Sequence, residues 1–102
     1  MLIRVVRMTF APDRVADFLT IFRDSQDQIR QMPGCRHLEL WQDAANLNIY
    51  CTYSHWDSVE ALNAYRGSEL FGHVWPATKA LFSAPVQAFS VHQVAPSPNP
   101  AP

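Results

Sequence analysis

Apolar and polar positions alternate with a period that changes several times along the chain, and each change marks an element. Leu2 to Phe10 sets Ile3, Val5, Val6 and Thr9 among apolar neighbours and reads as a first strand. Pro12 and Asp13 then open a helix. From there to Met32 the positions Val15, Phe18, Leu19, Phe22, Ile29 and Met32 recur at spacings of three, four and seven, the stripe of an amphipathic helix laid on a core. Pro33 and Gly34 end it.

Two further strands, from about Cys35 to Gln42 and from about Leu47 to His55, flank a short polar link at Asp43, Ala44, Ala45 and Asn46, as in a β-hairpin. A turn centred on Ala44 and Ala45 predicts a register in which Leu38, Leu40, Leu47, Ile49, Cys51 and Tyr53 share one face. The other face then holds His37, Glu39, Trp41, Tyr50, Thr52 and Ser54, rings mixed with polar groups. In that register Cys35 and Cys51 lie on opposite faces with Cα atoms roughly 10 Å apart, beyond disulfide reach. Both are expected to be free thiols.

Asp57 stands three residues before Glu60, the spacing of a capping box, and starts a short helix through Leu62 and Tyr65 to Arg66, closed by Gly67. Ser68 caps the next helix, Glu69 to about Phe82, in which Leu70, Phe71, Val74, Trp75, Thr78, Leu81 and Phe82 form the inward stripe. Pro76 interrupts it, removes the hydrogen bond to the Gly72 carbonyl and predicts a kink. Pro85 precedes a last strand, Val86 to Val94. Residues 95–102 hold four of the chain's eight prolines and are expected to form a disordered tail.

The order strand, helix, strand, strand, helix, strand, joined by right-handed crossovers, predicts an α+β domain over residues 1–94. Its architecture is the ferredoxin-like βαββαβ fold, a four-stranded antiparallel sheet with helices on one face. The opposite face is left bare. With 102 residues the chain has room for one domain of modest core, so pairing two sheets into a homodimer is the expected way to cover that face.

Charge narrows the partners. Eight Lys and Arg against nine Asp and Glu leave a net charge of −1, with no basic stripe for a phosphate backbone, so nucleic acid is not expected. No apolar run approaches the ~20 residues of a membrane span, and Arg4 breaks the first apolar stretch too early for a signal-peptide core. A cytoplasmic protein without a membrane partner is the expectation. No histidine pair has metal-ligand spacing, so no metal is expected, and no Gly-rich phosphate loop, nucleotide fingerprint or nucleophile elbow is present.

The segment Tyr53 to Pro85, YSHWDSVEALNAYRGSELFGHVWPATKALFSAP, together with Pro33-Gly34-Cys35 before the second strand, resembles the antibiotic-biosynthesis-monooxygenase-type domain of the dimeric α+β barrel superfamily. The resemblance implies a homodimer with a cavity in each subunit between sheet and helices. Some members of the family oxidise phenolic polycycles or quinols there with O2 and no cofactor, and others degrade haem. The haem-degrading members share an Asn on strand one, a Trp on the short helix and a His on the next helix. Here strand one has no Asn, Tyr65 stands near the Trp position and Trp75 near that of the His. The resemblance therefore favours a cofactor-independent monooxygenase acting with O2 on a small aromatic, phenolic or quinol-type substrate. The alternative is a non-catalytic ligand-binding or structural dimer of the same fold.

Deprotonating a phenol calls for a base, a cation for the oxyanion and aromatic walls that exclude water. His73 is the candidate base, because its helix borders the expected kink. Arg4 and Arg7 point to opposite faces of strand one, so one of them can reach the cavity; Arg7 is taken as the candidate oxyanion partner. Trp56, Tyr65, Phe71 and Trp75 are the candidate aromatic walls. Tyr53 and Ser25, polar positions in apolar stripes, complete the substrate-binding set.

Overall fold

A computed structural model of the chain describes residues 1–96, so positions 97–102 of the expected tail lie outside the described residues. The elements are β1 (Leu2–Thr9), a 3-10 turn (Pro12–Arg14), α1 (Val15–Arg30), β2 (Cys35–Gln42), β3 (Ile49–Trp56), α2 (Val59–Arg66), α3 (Glu69–Lys79) and β4 (Gln87–His92). The strands form one antiparallel sheet in the order β2-β3-β1-β4, the ferredoxin-like arrangement expected from the sequence.

Strand alternation sorts the sheet into two faces. Towards the helices point Leu2, Arg4, Val6 and Met8 of β1, Tyr50, Thr52, Ser54 and Trp56 of β3, Leu38 and Leu40 of β2, and Ala88 of β4. The core under the helices has two parts. Met8, Phe10, Phe18, Phe22, Tyr50 and Leu81 form one; Leu2, Cys35, Trp56 and Leu62 form the other.

The hairpin register differs from the expected one by three residues. Leu38 pairs with Ser54 and Trp41 with Cys51. Asp43 causes the shift: its Oδ2 accepts from the Ala45 and Asn46 amides at 2.9 and 2.8 Å, and its own amide donates to the Ile49 carbonyl at 2.8 Å. This side-chain-stabilised turn lengthens the link to residues 43–48. An odd slip turns a strand over, so Tyr50 is buried at 7% exposure instead of standing on the bare face, while Tyr53 joins His37, Glu39 and Trp41 there. The thiols stay apart in the new register as well. Cys35 lies in the core and Cys51 on the outer face, and both are free.

Two helix caps are also resolved. Ser58, rather than Asp57, caps α2, its Oγ accepting from the Ala61 amide at 3.1 Å; Asp57 is held in a two-pronged ion pair by Arg36 at 2.8 and 2.7 Å. Ser68 caps α3 as expected, accepting from the Phe71 amide at 3.2 Å. α3 runs through Pro76 and ends at Lys79, and Phe82 lies beyond it in an isolated bridge to Phe10. No helix among the described residues is long and apolar enough to cross a membrane.

Candidate functional site

A cavity of about 150 Å³ lies between the sheet and the helices, where the two core clusters fail to meet. Its floor is Arg4, Val6, Met8, Thr52, Ser54 and Trp56 of the central strands, with Leu38 and Ala88 from the strands on either side. α1 closes one side with Phe18, Ile21, Phe22, Ser25 and Ile29. Leu62, Tyr65 and Arg66 of α2 and Phe71, Val74, Trp75 and Thr78 of α3 close the other. Among these residues only Arg66 and Ala88 are exposed, so they mark the mouth.

The helical wall is aromatic and continuous. Trp56 and Tyr65 stack at 5.2 Å between ring centres, Tyr65 meets Phe71 edge to face at 5.2 Å, and Phe71 stacks on Trp75 at 5.8 Å. Trp75 in turn contacts Phe82, whose ring touches Phe10 in the other core cluster. Each ring packs against the next, which fixes the geometry of the wall. The Trp56 indole is 1% exposed, and its Nε1 donates to Ser54 Oγ at 3.0 Å, so it is a core residue as much as a wall.

Several polar lining groups are already committed to the backbone. Ser25 Oγ donates to the Ile21 carbonyl at 2.7 Å, and Thr78 Oγ1 to the Val74 carbonyl at 2.8 Å. These hydroxyls replace water within their own helix turns and keep only acceptor lone pairs for a guest. The Tyr65 hydroxyl makes no hydrogen bond to the described residues, and burial pushes its pKa up to about 12, with the nearby Cys35 thiol adding to the rise. At neutral pH it is a neutral donor.

The charged lining groups are both guanidiniums. Arg4 Nη1 donates to Ser90 Oγ at 3.1 Å. Burial lowers its pKa from the ordinary value, and the positive charge of Arg66 lowers it further. No carboxylate and no imidazole lines the cavity among the described residues. The positive charge at the cavity is balanced by no lining carboxylate, and no side-chain base lines it among the described residues.

Of the residues expected from the sequence, Ser25, Trp56, Tyr65, Phe71 and Trp75 line the cavity, and Arg7, Tyr53 and His73 do not. Arg7 pairs across the sheet with Cys51 and points to the outer face, so Arg4 occupies the position expected for it. Tyr53 left the cavity with the change of register; its hydroxyl lies 2.6 Å from His55 Nε2, and its ring stacks on Trp41 at 4.5 Å on the outer face. His73 is turned to solvent on α3, 76% exposed, with Nε2 3.6 Å from the Glu69 carboxylate. Its neighbours Phe71, Val74 and Trp75 take the inward positions because residues one and two apart on a helix diverge by about 100° and 200°. Arg4, in the even-numbered row of β1 with Leu2 and Met8, was legible as an alternative. Arg66 was not, since a cation in a last helix turn is ordinarily explained by the helix dipole.

A histidine-ligated haem does not fit these residues, because the groups α3 presents to the cavity are two aromatic rings, a valine and a threonine, and His73 faces away. The two cysteines are no better as nucleophiles. Burial raises the pKa of both Cys35 and Cys51, which keeps them as thiols.

Comparison with known proteins agrees with this architecture. A family model described as "Antibiotic biosynthesis monooxygenase" matches residues 1–75, from β1 into α3. No curated protein sequence matches the chain. Among solved structures, an antibiotic biosynthesis monooxygenase superposes with a TM-score of 0.87 at 20% identity, covering 93% of this chain and 100% of that one. A Mycobacterium tuberculosis protein gives 0.86 at 18% identity over 95% and 98% of the two chains. A conserved protein of Methanosarcina mazei Go1 gives 0.86 at 18% over 91% and 93%. At such identities the superpositions speak for the fold alone.

Proposed function

The chain belongs to the antibiotic biosynthesis monooxygenase family, and from that premise we propose that it is a cofactor-independent monooxygenase, using O2 on a small phenolic or quinol-type molecule held in the cavity. The observation that carries this reading is a ring-sized aromatic chamber whose charged groups are two guanidiniums.

The chemistry follows from those groups. A phenol seated on the Trp56, Tyr65, Phe71 and Trp75 wall is withdrawn from water, and a guanidinium within about 4–6 Å of its oxygen favours the phenolate, lowering its pKa by roughly one to three pH units. The proton leaves to water through the mouth. The phenolate is electron-rich enough to react with O2 at the ring carbon opposite its oxygen. A C–O bond forms there, the O–O bond breaks, the ring hydrogen leaves as a proton, one oxygen atom stays as the quinone oxygen and the other departs as water. The substrate supplies all four electrons, so the balance closes without an added reductant. The neutral Tyr65 hydroxyl donates a hydrogen bond to the oxygen that carries negative charge on the way.

Oxygen uptake by the purified protein with a panel of one-ring phenols and quinols tests the proposal. One O2 consumed per phenol, with one labelled oxygen atom in the product from ¹⁸O₂, is the expected result. His73→Ala should leave the rate unchanged, because the imidazole lies outside the cavity. The second reading, a ligand-binding protein that does no chemistry, is favoured by the lack of a side-chain base among the lining residues. Binding of the same phenols without oxygen uptake would decide for it.

A further inference from the structure

Arg4 and Arg66 are two like charges at one cavity, and neither forms an ion pair with a carboxylate among the described residues. Arg4 spends one N–H on Ser90 and is half-buried. Arg4 gives up part of its hydration and feels the like charge of Arg66, a standing cost that a bound anion would reduce. A neutral phenol does not cancel it at rest, since an ordinary phenol ionises near pH 10. A carboxylate is ionised at neutral pH, and its two oxygens offer about four lone-pair sites to the N–H groups of the pair. The chamber of about 150 Å³ has the size that holds a single benzene-like ring.

We propose that the cavity selects one-ring aromatic carboxylates, with the ring against the Tyr65, Phe71 and Trp75 wall and the carboxylate accepting hydrogen bonds from Arg4 of the floor and Arg66 of the mouth. This deepens the monooxygenase reading, which it takes as its starting point, by assigning the substrate a permanent acid group in addition to the reacting phenol. A hydroxybenzoate with the carbon opposite its hydroxyl free, such as 3-hydroxybenzoate, satisfies both requirements.

Equilibrium binding separates this proposal from the reaction. Titration of the full chain at pH 7 and low salt, followed by tryptophan fluorescence and calorimetry, compares benzoate and 3-hydroxybenzoate with benzamide, 3-hydroxybenzamide, acetate and 2-naphthoate. The acids should bind at least about tenfold tighter than their amides, the margin a charge-assisted pair contributes. Acetate and the two-ring acid should both bind more weakly than benzoate. Arg66→Gln, an exposed position that folding tolerates, should remove most of the acid preference, and Arg4→Gln should do the same while Arg4→Lys keeps part of it. Equal binding of acid and amide, a preference that survives both glutamine variants, or acetate binding as well as benzoate would each overturn the proposal. An acid preference without oxygen uptake leaves the binding class standing and removes the monooxygenase reading. Oxidation of neutral phenols without an acid preference does the opposite.

Discussion

Gly34 has φ 83°, the left-handed conformation that only glycine adopts without strain, and a Cβ built on it would meet the Ala61 Cβ at 2.6 Å. The chain there turns from α1 into β2 while α2 crosses against its backbone, which is the physical content of the Pro33-Gly34-Cys35 run. Gly34→Ala should therefore cost about 1–3 kcal/mol in urea unfolding, combining strain and overpacking. Gly72 is the control: nothing lies within 4 Å of its added Cβ, and it sits inside α3, so Gly72→Ala should stabilise by about 0.5–1 kcal/mol. Tyr65 gives a second test at this scale. Its pKa is raised from 10 to about 12 by burial, so the folded state holds a proton that the unfolded chain releases. That contribution is present in full below about pH 10 and is lost as pH rises towards 12. Wild type should lose more stability than Tyr65→Phe over that window in paired thermal melts; parallel curves would place the hydroxyl in water. Residue type in the sequence was enough to mark Trp56, Tyr65, Phe71 and Trp75 as one group. It was not enough to choose between Arg4 and Arg7, because both rows of β1 are apolar around them: Leu2, Val6 and Met8 on one side, Ile3 and Val5 on the other.

Elements were legible where a period or a cap is written into the chain, and less so where a side chain sets the geometry of a loop. The stripe of α1 and the Ser68 cap of α3 needed only local rules. The hairpin depended on Asp43, whose carboxylate holds two amides and adds residues to the turn that simple strand alternation cannot count. Those residues decided the face of every β3 side chain, and with it whether Tyr53 or Ser54 lined the cavity. At the start of α2 two adjacent residues competed for the cap. Ser58 has the extended backbone that a cap requires, φ −160° and ψ 166°, and Asp57 was drawn off by Arg36 from β2. Ser58→Ala should cost about 1 kcal/mol. Asp57→Ala removes only an exposed ion pair, and exposed pairs contribute about 0–1 kcal/mol. A larger loss at Asp57 than at Ser58 in matched denaturation curves would reverse the assignment of the cap.

On the whole molecule the helices leave one side of the sheet open, and that side is not built for water. Trp41 at 42% exposure, Phe89 at 51% and Val91 at 43% stand on it, from β2 at one edge to β4 at the other. Between them lie His37, Tyr53 and His55, rings in mutual contact, with the His37 and His55 centres 5.2 Å apart and the Trp41 indole donating to Glu39 at 2.8 Å. A network of aromatic and polar groups satisfied within its own face can be covered by a flat apolar partner without stranding a donor. The partner we propose is a second copy, sheet against sheet. A chain of this size gains proportionally more from such burial than a large one. The cavity lies on the other face of the same strands, with Arg4 and Arg7 of β1 pointing to opposite sides, so pairing would stiffen the floor of the site without entering it. Sedimentation at micromolar concentration should give a dimer. Trp41→Glu should give monomer, because it sets a second carboxylate beside Glu39 on the β2 side of the contact, where an unpaired buried charge costs several kcal/mol. Its 3-hydroxybenzoate affinity should stay within about threefold of wild type, since Trp41 lies outside the cavity lining. A native chain sedimenting as monomer would refute the pairing, and a Trp41→Glu protein that stays dimeric would move the interface elsewhere.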